Sequence, residues 1–207
     1  NEVINIVDIG DGRLWIATPS GLGRFDPATG RFELYRNDPA DPTSLPQNYT
    51  GSIVHSRGAL WVGTYGGVAR GKWANDAWRF RAIAEAQGLA NDNVAALLAD
   101  RRGRIWATGA SGISVVDPLG KRVRVVSRRD GLPPDAYNQR VAAMTRDGDL
   151  LFGGTGGLLV LRPDRMLAAR APASMTLAPT EIDQDGRVLP FSPFPGRQAI
   201  RIDGHAV

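Results

Sequence analysis

The sequence has no cysteine and only two histidines, His55 and His205. Without thiols there is neither a disulfide framework nor a thiolate nucleophile, a composition that fits a cytosolic and a periplasmic address alike. Two isolated histidines argue against a histidine metal cluster and against a serine triad. Lysine is scarce: of 25 basic residues 23 are arginine, set against 21 acidic ones for a formal charge of +4. The densest arginine runs are Arg101-Arg102-Gly103-Arg104 and Arg128-Arg129. Neither forms a basic stripe interleaved with stacking aromatics, so no nucleic-acid partner is expected. No apolar run reaches the roughly 18 residues of a membrane-spanning helix. No cationic-then-apolar leader opens the chain, so an export signal is expected outside this sequence.

What is present is a repeat. Trp15, Trp61, Trp106 and Leu151 follow one another at steps of 46, 45 and 45 residues. Glycine stands three places before each anchor (Gly12, Gly58, Gly103, Gly148) and six places after it (Gly21, Gly67, Gly112, Gly157). An apolar residue comes next: Leu22, Val68, Ile113, Leu158. Periods near 45 residues belong to radial or stacked repeats.

Each unit reads as four short strands. In the first, Val3–Val7 is β-branched, Asp11-Gly12 is a hairpin turn, and Leu14–Ala17 is the second strand. Leu22–Phe25 is the third, stopped by Asp26-Pro27 because proline cannot donate to a ladder, and Arg31–Arg36 the fourth. Unit three repeats this with Val94–Leu98, Ile105–Thr108, Ile113–Val116 and Val123–Val126. Unit two has Gly71-Lys72 in place of the Asp-Pro stop, and unit four has Leu151 in place of tryptophan. The fold expected is all-β: four antiparallel four-stranded β-propeller blades, part of a larger propeller, with each tryptophan flat between neighbouring blades. Residues repeated in every unit report architecture, so function is sought among those that differ.

The run Leu14-Trp15-Ile16-Ala17-Thr18 with Gly21-Leu22-Gly23-Arg24-Phe25-Asp26-Pro27 resembles the two-component regulator propeller repeat. The connection from Tyr35 to Asn48 is similar to the long blade-to-blade linker of that family, and Gly131-Leu132-Pro133 through Gly154 to its last blade. The resemblance covers residues 1–164. Residues 165–207 are read as a linker and, from Ala173, the opening strands of an immunoglobulin-like three-Y domain, an incomplete β-sandwich segment. The resemblance implies the extracytoplasmic, periplasmic sensor region of an inner-membrane signalling receptor. Its output domain, a histidine kinase, hybrid regulator or diguanylate cyclase, and its membrane attachment are expected outside this sequence.

Chemistry has few footholds. Gly153-Gly154-Thr155-Gly156-Gly157 mimics a phosphate cradle, but no Lys-Ser/Thr follows, and the other units mark it as an inter-strand turn. Asp38/Asp41 and Asp183/Asp185 fall in a linker and a turn, and His55 is read as a hydrogen-bonded structural residue. No catalytic residue, metal ligand or cofactor is therefore expected. A sensory binding module is favoured over a propeller enzyme of lyase type and over a protein-interaction propeller, which lacks its WD signature here. The loops leaving the outer strands and the turns between second and third strands open on one face. That face collects Asn48, Tyr49 and Tyr65; Asp92, Asn93 and Ser111; and Tyr137, Asn138, Arg140 and Thr155. Aromatic platforms, amides and an arginine fork suit a polar ligand such as an oligosaccharide or a uronate. A homodimer is a further partner such a receptor allows.

Overall fold

Positive-φ glycines punctuate this chain into hairpins. The computed structural model describes residues 2–133 and 137–168, with the backbone of Met175–Thr176 and Arg201–Ile202. The glycines three before each anchor take φ of 68° to 93°, and those six after it 103° to 140°. An added Cβ on Gly67 would stand 2.3 Å from the Ile83 carbonyl oxygen, so the turn excludes any side chain there.

Four antiparallel sheets result, arranged as a four-blade propeller. Blade 1 is β1 (Asn5–Asp8), β2 (Leu14–Thr18), β3 (Gly21–Asp26) and β4 (Arg31–Tyr35). Blade 2 is β5 (Thr50–Ser56), β6 (Ala59–Thr64), β7 (Gly67–Ala74) and β8 (Ala77–Ile83). Blade 3 is β9 (Ala96–Ala99), β10 (Ile105–Gly109), β11 (Gly112–Val116) and β12 (Val123–Val126). Blade 4, expected with four strands, shows three among the described residues, β13 (Tyr137–Met144), β14 (Leu150–Gly154) and β15 (Gly157–Leu161). Sequential strands are neighbours in every sheet, and β1, β5, β9 and β13 lie successively side by side.

Two departures from the repeat have local causes. Where Asp26-Pro27 and Asp117-Pro118 end a strand, glycines at φ 71° (Gly30, Gly120) turn the chain into the outer strand. Arg162-Pro163 has no such glycine, and the chain enters a short helix, α1 (Pro163–Leu167), since proline suits a first helical turn. Unit two lacks the proline altogether. Its ladder runs on through Lys72↔Arg79, Trp73↔Trp78 and Ala74↔Ala77, closed by Asn75 and Asp76 at φ 50° and 56°.

The tryptophans lie where the repeat requires. Trp15, Trp61 and Trp106 are all fully buried. Trp15 and Leu22 of blade 1 pack with Ile53, Leu60, Val62 and Phe80 of blade 2. Trp61 and Val68 of blade 2 pack with Val94, Leu97, Ile105 and Val116 of blade 3. Register sets Trp15 beside Arg24 and Trp61 beside Arg70, and each guanidinium lies over an indole at 5.6 and 5.3 Å. Leu151 takes the equivalent register position opposite Val160 and is half-buried, while Leu150 and Phe152 beside it are buried. His55 is exposed on β5.

The blades are also latched by hydroxyls. Thr18 donates its backbone N–H to Thr50 Oγ1 at 2.9 Å, and Thr50 Oγ1 lies 3.0 Å from the carbonyls of both Thr18 and Gly21. Tyr35 stacks on Trp15 at 5.7 Å and donates its hydroxyl to Glu33 Oε2 at 2.8 Å.

The chain divides into two compact units, residues 1–166 and 167–207. In the second, β16 (Met175–Thr176) pairs antiparallel with β17 (Arg201–Ile202). The remainder of the expected three-Y segment lies outside the described residues.

Truncating Trp61 to alanine should cost about 3–5 kcal/mol, the range for a buried large aromatic, read by chemical denaturation. Burial, then the bond to Glu33, pushes the Tyr35 phenol from 10.0 up to about 12. Its neutral form is therefore the native one. The stability this contributes is fully present below pH about 10 and is lost as pH rises toward about 12. Denaturation midpoints followed across that window should fall in the wild type and flatten in Tyr35→Phe.

Candidate functional site

The turn between the second and third strands of blade 2 is anchored by backbone hydrogen bonds. Gly67 N–H donates to the Asp92 carbonyl at 2.7 Å and Val94 N–H to the Thr64 carbonyl at 3.1 Å, stitching the turn to the segment that enters blade 3. Gly66 sits against Pro46 and Gln47, where a Cβ would come within 3.0 Å of the Gln47 side chain. Tyr65 stands exposed on this bonded turn. Its ring stacks on Tyr49 with centroids 4.0 Å apart and planes 13° from parallel.

Blade 4 completes the cluster. Strand β13 carries an irregularity between Tyr137 and Ala142, with Arg140 at φ 62°. A bulge of this kind re-aims side chains. Arg140 N–H donates to the Ala95 carbonyl at 2.9 Å, tying β13 to the entrance of blade 3. Gln139 Nε2 then donates to the Tyr65 hydroxyl at 2.7 Å. Hydrogen bonding with the Tyr65 hydroxyl holds the Tyr49 phenol above its usual range; Arg140 pulls it down and Glu2 pushes it up. Residues from blades 2 and 4 thus meet around one stacked pair, with Tyr65, Gln139 and Arg140 exposed.

The other residues singled out in the sequence divide differently. Asn48 Oδ1 accepts the Asn37 N–H at 2.8 Å and Asp92 Oδ1 the Glu85 N–H at 2.6 Å, so both shape their connections. Asn93 is exposed, its N–H capped by Asn91 Oδ1 at 2.9 Å, and Asn138 and Thr155 are exposed. Tyr137 packs edge-on against Phe152 at 6.3 Å. With Ser111, Ser127, Arg128, Arg129 and Leu132 it lines a cavity of about 360 Å³ on the same face. Gln139 was not among the expected residues; only the bulge, invisible in sequence, brings it to Tyr65.

A second cluster occupies the opposite end of blades 3 and 4, at the turns between first and second strands. Asp100 Oδ2 accepts Trp106 Nε1–H at 2.9 Å and pairs with Arg104 Nε at 2.5 Å. Arg104 and Arg102 both reach Asp164 Oδ1 at 3.0 Å, and together hold that carboxyl below the usual range, Arg104 foremost. A cavity of about 190 Å³ lies among these side chains. Sequence carried a signal here: aspartate stands six before the anchor in unit three, where units one, two and four have Ile9, His55 and Thr145. Among the described residues, no three His, Cys, Asp or Glu side chains are grouped to hold a metal ion. No helix among them is long and apolar enough to cross a membrane.

No family model and no curated protein matches the sequence. Solved structures do match. The extracellular domain of BT3049 from B. thetaiotaomicron, assigned to a hybrid two component system, superposes over 91% of this chain and 25% of its own, with a TM-score of 0.67 at 21% identity. That of BT4673 from the same organism covers 80% and 24%, with a TM-score of 0.65 at 22% identity. Virginiamycin B lyase from Staphylococcus aureus covers 77% and 55%, with a TM-score of 0.54 at 16% identity. At such identities the likeness is one of fold, and the chain spans about a quarter of the length of the two extracellular domains.

The tyrosine pair gives a direct titration. In Tyr65→Phe the Tyr49 phenol should fall back toward the ordinary value, because its main raising bond is gone. In Arg140→Ala it should rise further, because a cation that favours phenolate has been removed. NMR of ring-labelled tyrosine across alkaline pH distinguishes the two directions.

Proposed function

We propose that this chain is an extracytoplasmic, ligand-sensing propeller segment of a membrane-bound bacterial signalling receptor, of the two-component or cyclic-di-GMP kind. It holds its ligand without turnover. The observation that carries the reading is the stacked Tyr49–Tyr65 pair, bridged to blade 4 by Gln139 and flanked by Arg140. Ligand-binding side chains are commonly carried on loops fixed by a rigid scaffold, and these are fixed by backbone bonds from both sides. The aromatic faces offer a platform to a sugar ring, Gln139 a donor and an acceptor, and Arg140 a planar fork for a carboxylate. A polar oligosaccharide carrying uronate units is the ligand class this set fits. The fold shared with extracellular sensor domains supports a receptor role.

The propeller lyase and gluconolactonase folds also superpose, at 16% and 15% identity. An enzyme of that type would need an acid–base pair among the exposed loops of this face. The tyrosine site instead offers stacking and hydrogen bonding around a single cation.

Calorimetric titration of the purified chain with neutral and uronate-containing oligosaccharides tests the proposal. Tyr65→Ala and Arg140→Ala should each weaken binding by about tenfold or more, equivalent to about 1.4 kcal/mol. The arginine variant should lose preference for uronate over neutral sugar. Unchanged affinity in both variants, or consumption of the sugar during titration, would overturn it.

A further inference from the structure

We propose that the outer edge between blades 2 and 3 is a second binding site, where Arg70 and Arg81 take up a carboxylate of a small organic acid. Blade 1 shows what such an arginine requires, because it carries the same side chain over the same kind of indole.

In blade 1, Arg24 stands nine places after the anchor Trp15 and lies over its ring. Two carboxylates reach its guanidinium. Asp11 Oδ2 lies 3.2 Å from Nη2, and Glu33 Oε2 lies 3.7 Å from Nη1. Glu33 is directly opposite Arg24 across β3 and β4, and Asp11 stands four places before the anchor. In blade 2, Arg70 holds the same position relative to Trp61 and lies over that ring. Both acids are exchanged for cations. Opposite Arg70 across β7 and β8 is Arg81, and four places before the anchor is Arg57. One arginine between two acids has become three arginines.

What these side chains reach instead is the backbone of blade 3. Arg70 Nη2 donates to the Pro118 carbonyl at 3.4 Å, Arg81 Nη2 to that of Gly120, and Arg57 Nη2 to that of Arg102 at 3.3 Å. A Cβ on Gly120 would stand 2.7 Å from Arg81 Nη2 and 2.9 Å from Arg70 Cδ, so both side chains converge on one turn. Among the described residues no ion pair reaches any of the three. Asp117 acts on Arg70 only through space, its Oδ1 accepting the Lys121 N–H at 2.7 Å. Burial, then the Arg81 guanidinium, holds Arg70 below its ordinary range. Arg70 Nε is buried without an acceptor, as is Arg24 Nε.

Like charges directly opposite on two strands are destabilising, and salt screens a partly buried pair poorly. An added carboxylate removes that cost, as Glu33 supplies a counter-charge in blade 1. Arg81 is exposed, so the carboxylate reaches the pair from solvent. Guanidinium forks match a planar carboxylate with parallel N–H bonds. Occupied, the site clamps β7 and β8 to the turn between β11 and β12.

The test follows arginine Nε–H resonances of the full chain during titration with sodium citrate, acetate, phosphate and sulfate, at an ionic strength fixed by sodium chloride. With citrate and acetate the Arg70 and Arg81 signals should move together and saturate, while that of Arg24, already paired, stays still. Arg81→Gln should weaken citrate binding by about tenfold. Arg81→Glu places a carboxylate opposite Arg70. It should abolish binding and raise the thermal midpoint in citrate-free buffer above that of the wild type. Tyr65→Ala should leave the titration unchanged, which separates this site from the tyrosine platform. Shifts that never saturate, or that chloride alone reproduces, overturn the proposal. So does an Arg81→Glu protein that still binds citrate or melts no higher than the wild type, or a titration altered in Tyr65→Ala. Saturation by phosphate or sulfate with none by citrate or acetate overturns the carboxylate in favour of a tetrahedral oxyanion.

Discussion

Three fully buried indoles set the distance at which everything else must fit. Each buries a surface on the order of 200 Å², and each needs small or absent side chains around it. The glycines in the turns and the apolar residue that follows are consequences of that packing. Once Trp15 lies against Phe80 and Leu60, the sheet behind it has little freedom to slide. The Thr18–Thr50 latch and the arginines over the indoles then refine a spacing already determined. Trp106 differs in having its N–H satisfied by the Asp100 carboxylate, while those of Trp15 and Trp61 are buried without an acceptor. Blade 3 is accordingly the one whose indole is fixed in orientation as well as in depth.

The tyrosine site inherits its rigidity from this frame. Tyr65 stands on a turn bonded to the blade 3 entrance, and Arg140 is bonded to the same entrance from the other side. Two blades that are not neighbours in the sheet order therefore converge through a third. An occupant touching Tyr49, Tyr65 and Arg140 would register the relative placement of blades 2, 3 and 4 at once.

How much was legible before the structure depends on whether a feature repeats. The hairpin turns, the strand ends at Asp26 and Val116 and the burial of the three tryptophans all followed from four-fold periodicity. Strand limits moved by only one or two residues, as where Val3–Val7 became Asn5–Asp8. The misses were singular events. Nothing periodic foretold that blade 2 would extend its outer hairpin two pairs beyond that of blade 1, or that Arg162-Pro163 would start a helix. The site divided along the same line. Tyr49, Tyr65 and Arg140 lay on the expected face because strand order decides which loops share an end. Asn48 and Asp92 were drawn into backbone capping, a role short polar side chains fill readily, and Gln139 depended on a bulge.

The plain order of strands within each sheet has a consequence for how the molecule comes apart. Within the propeller every ladder joins segments close in sequence, and the indoles couple each blade mainly to the sheets beside it, the Gln139–Tyr65 bond between blades 4 and 2 apart. Such an array behaves as a short linear chain of coupled units, in which cooperativity is transmitted from neighbour to neighbour. Blade 2, clamped by Trp15 on one side and its own Trp61 on the other, should be the slowest of the described blades to exchange its amide hydrogens.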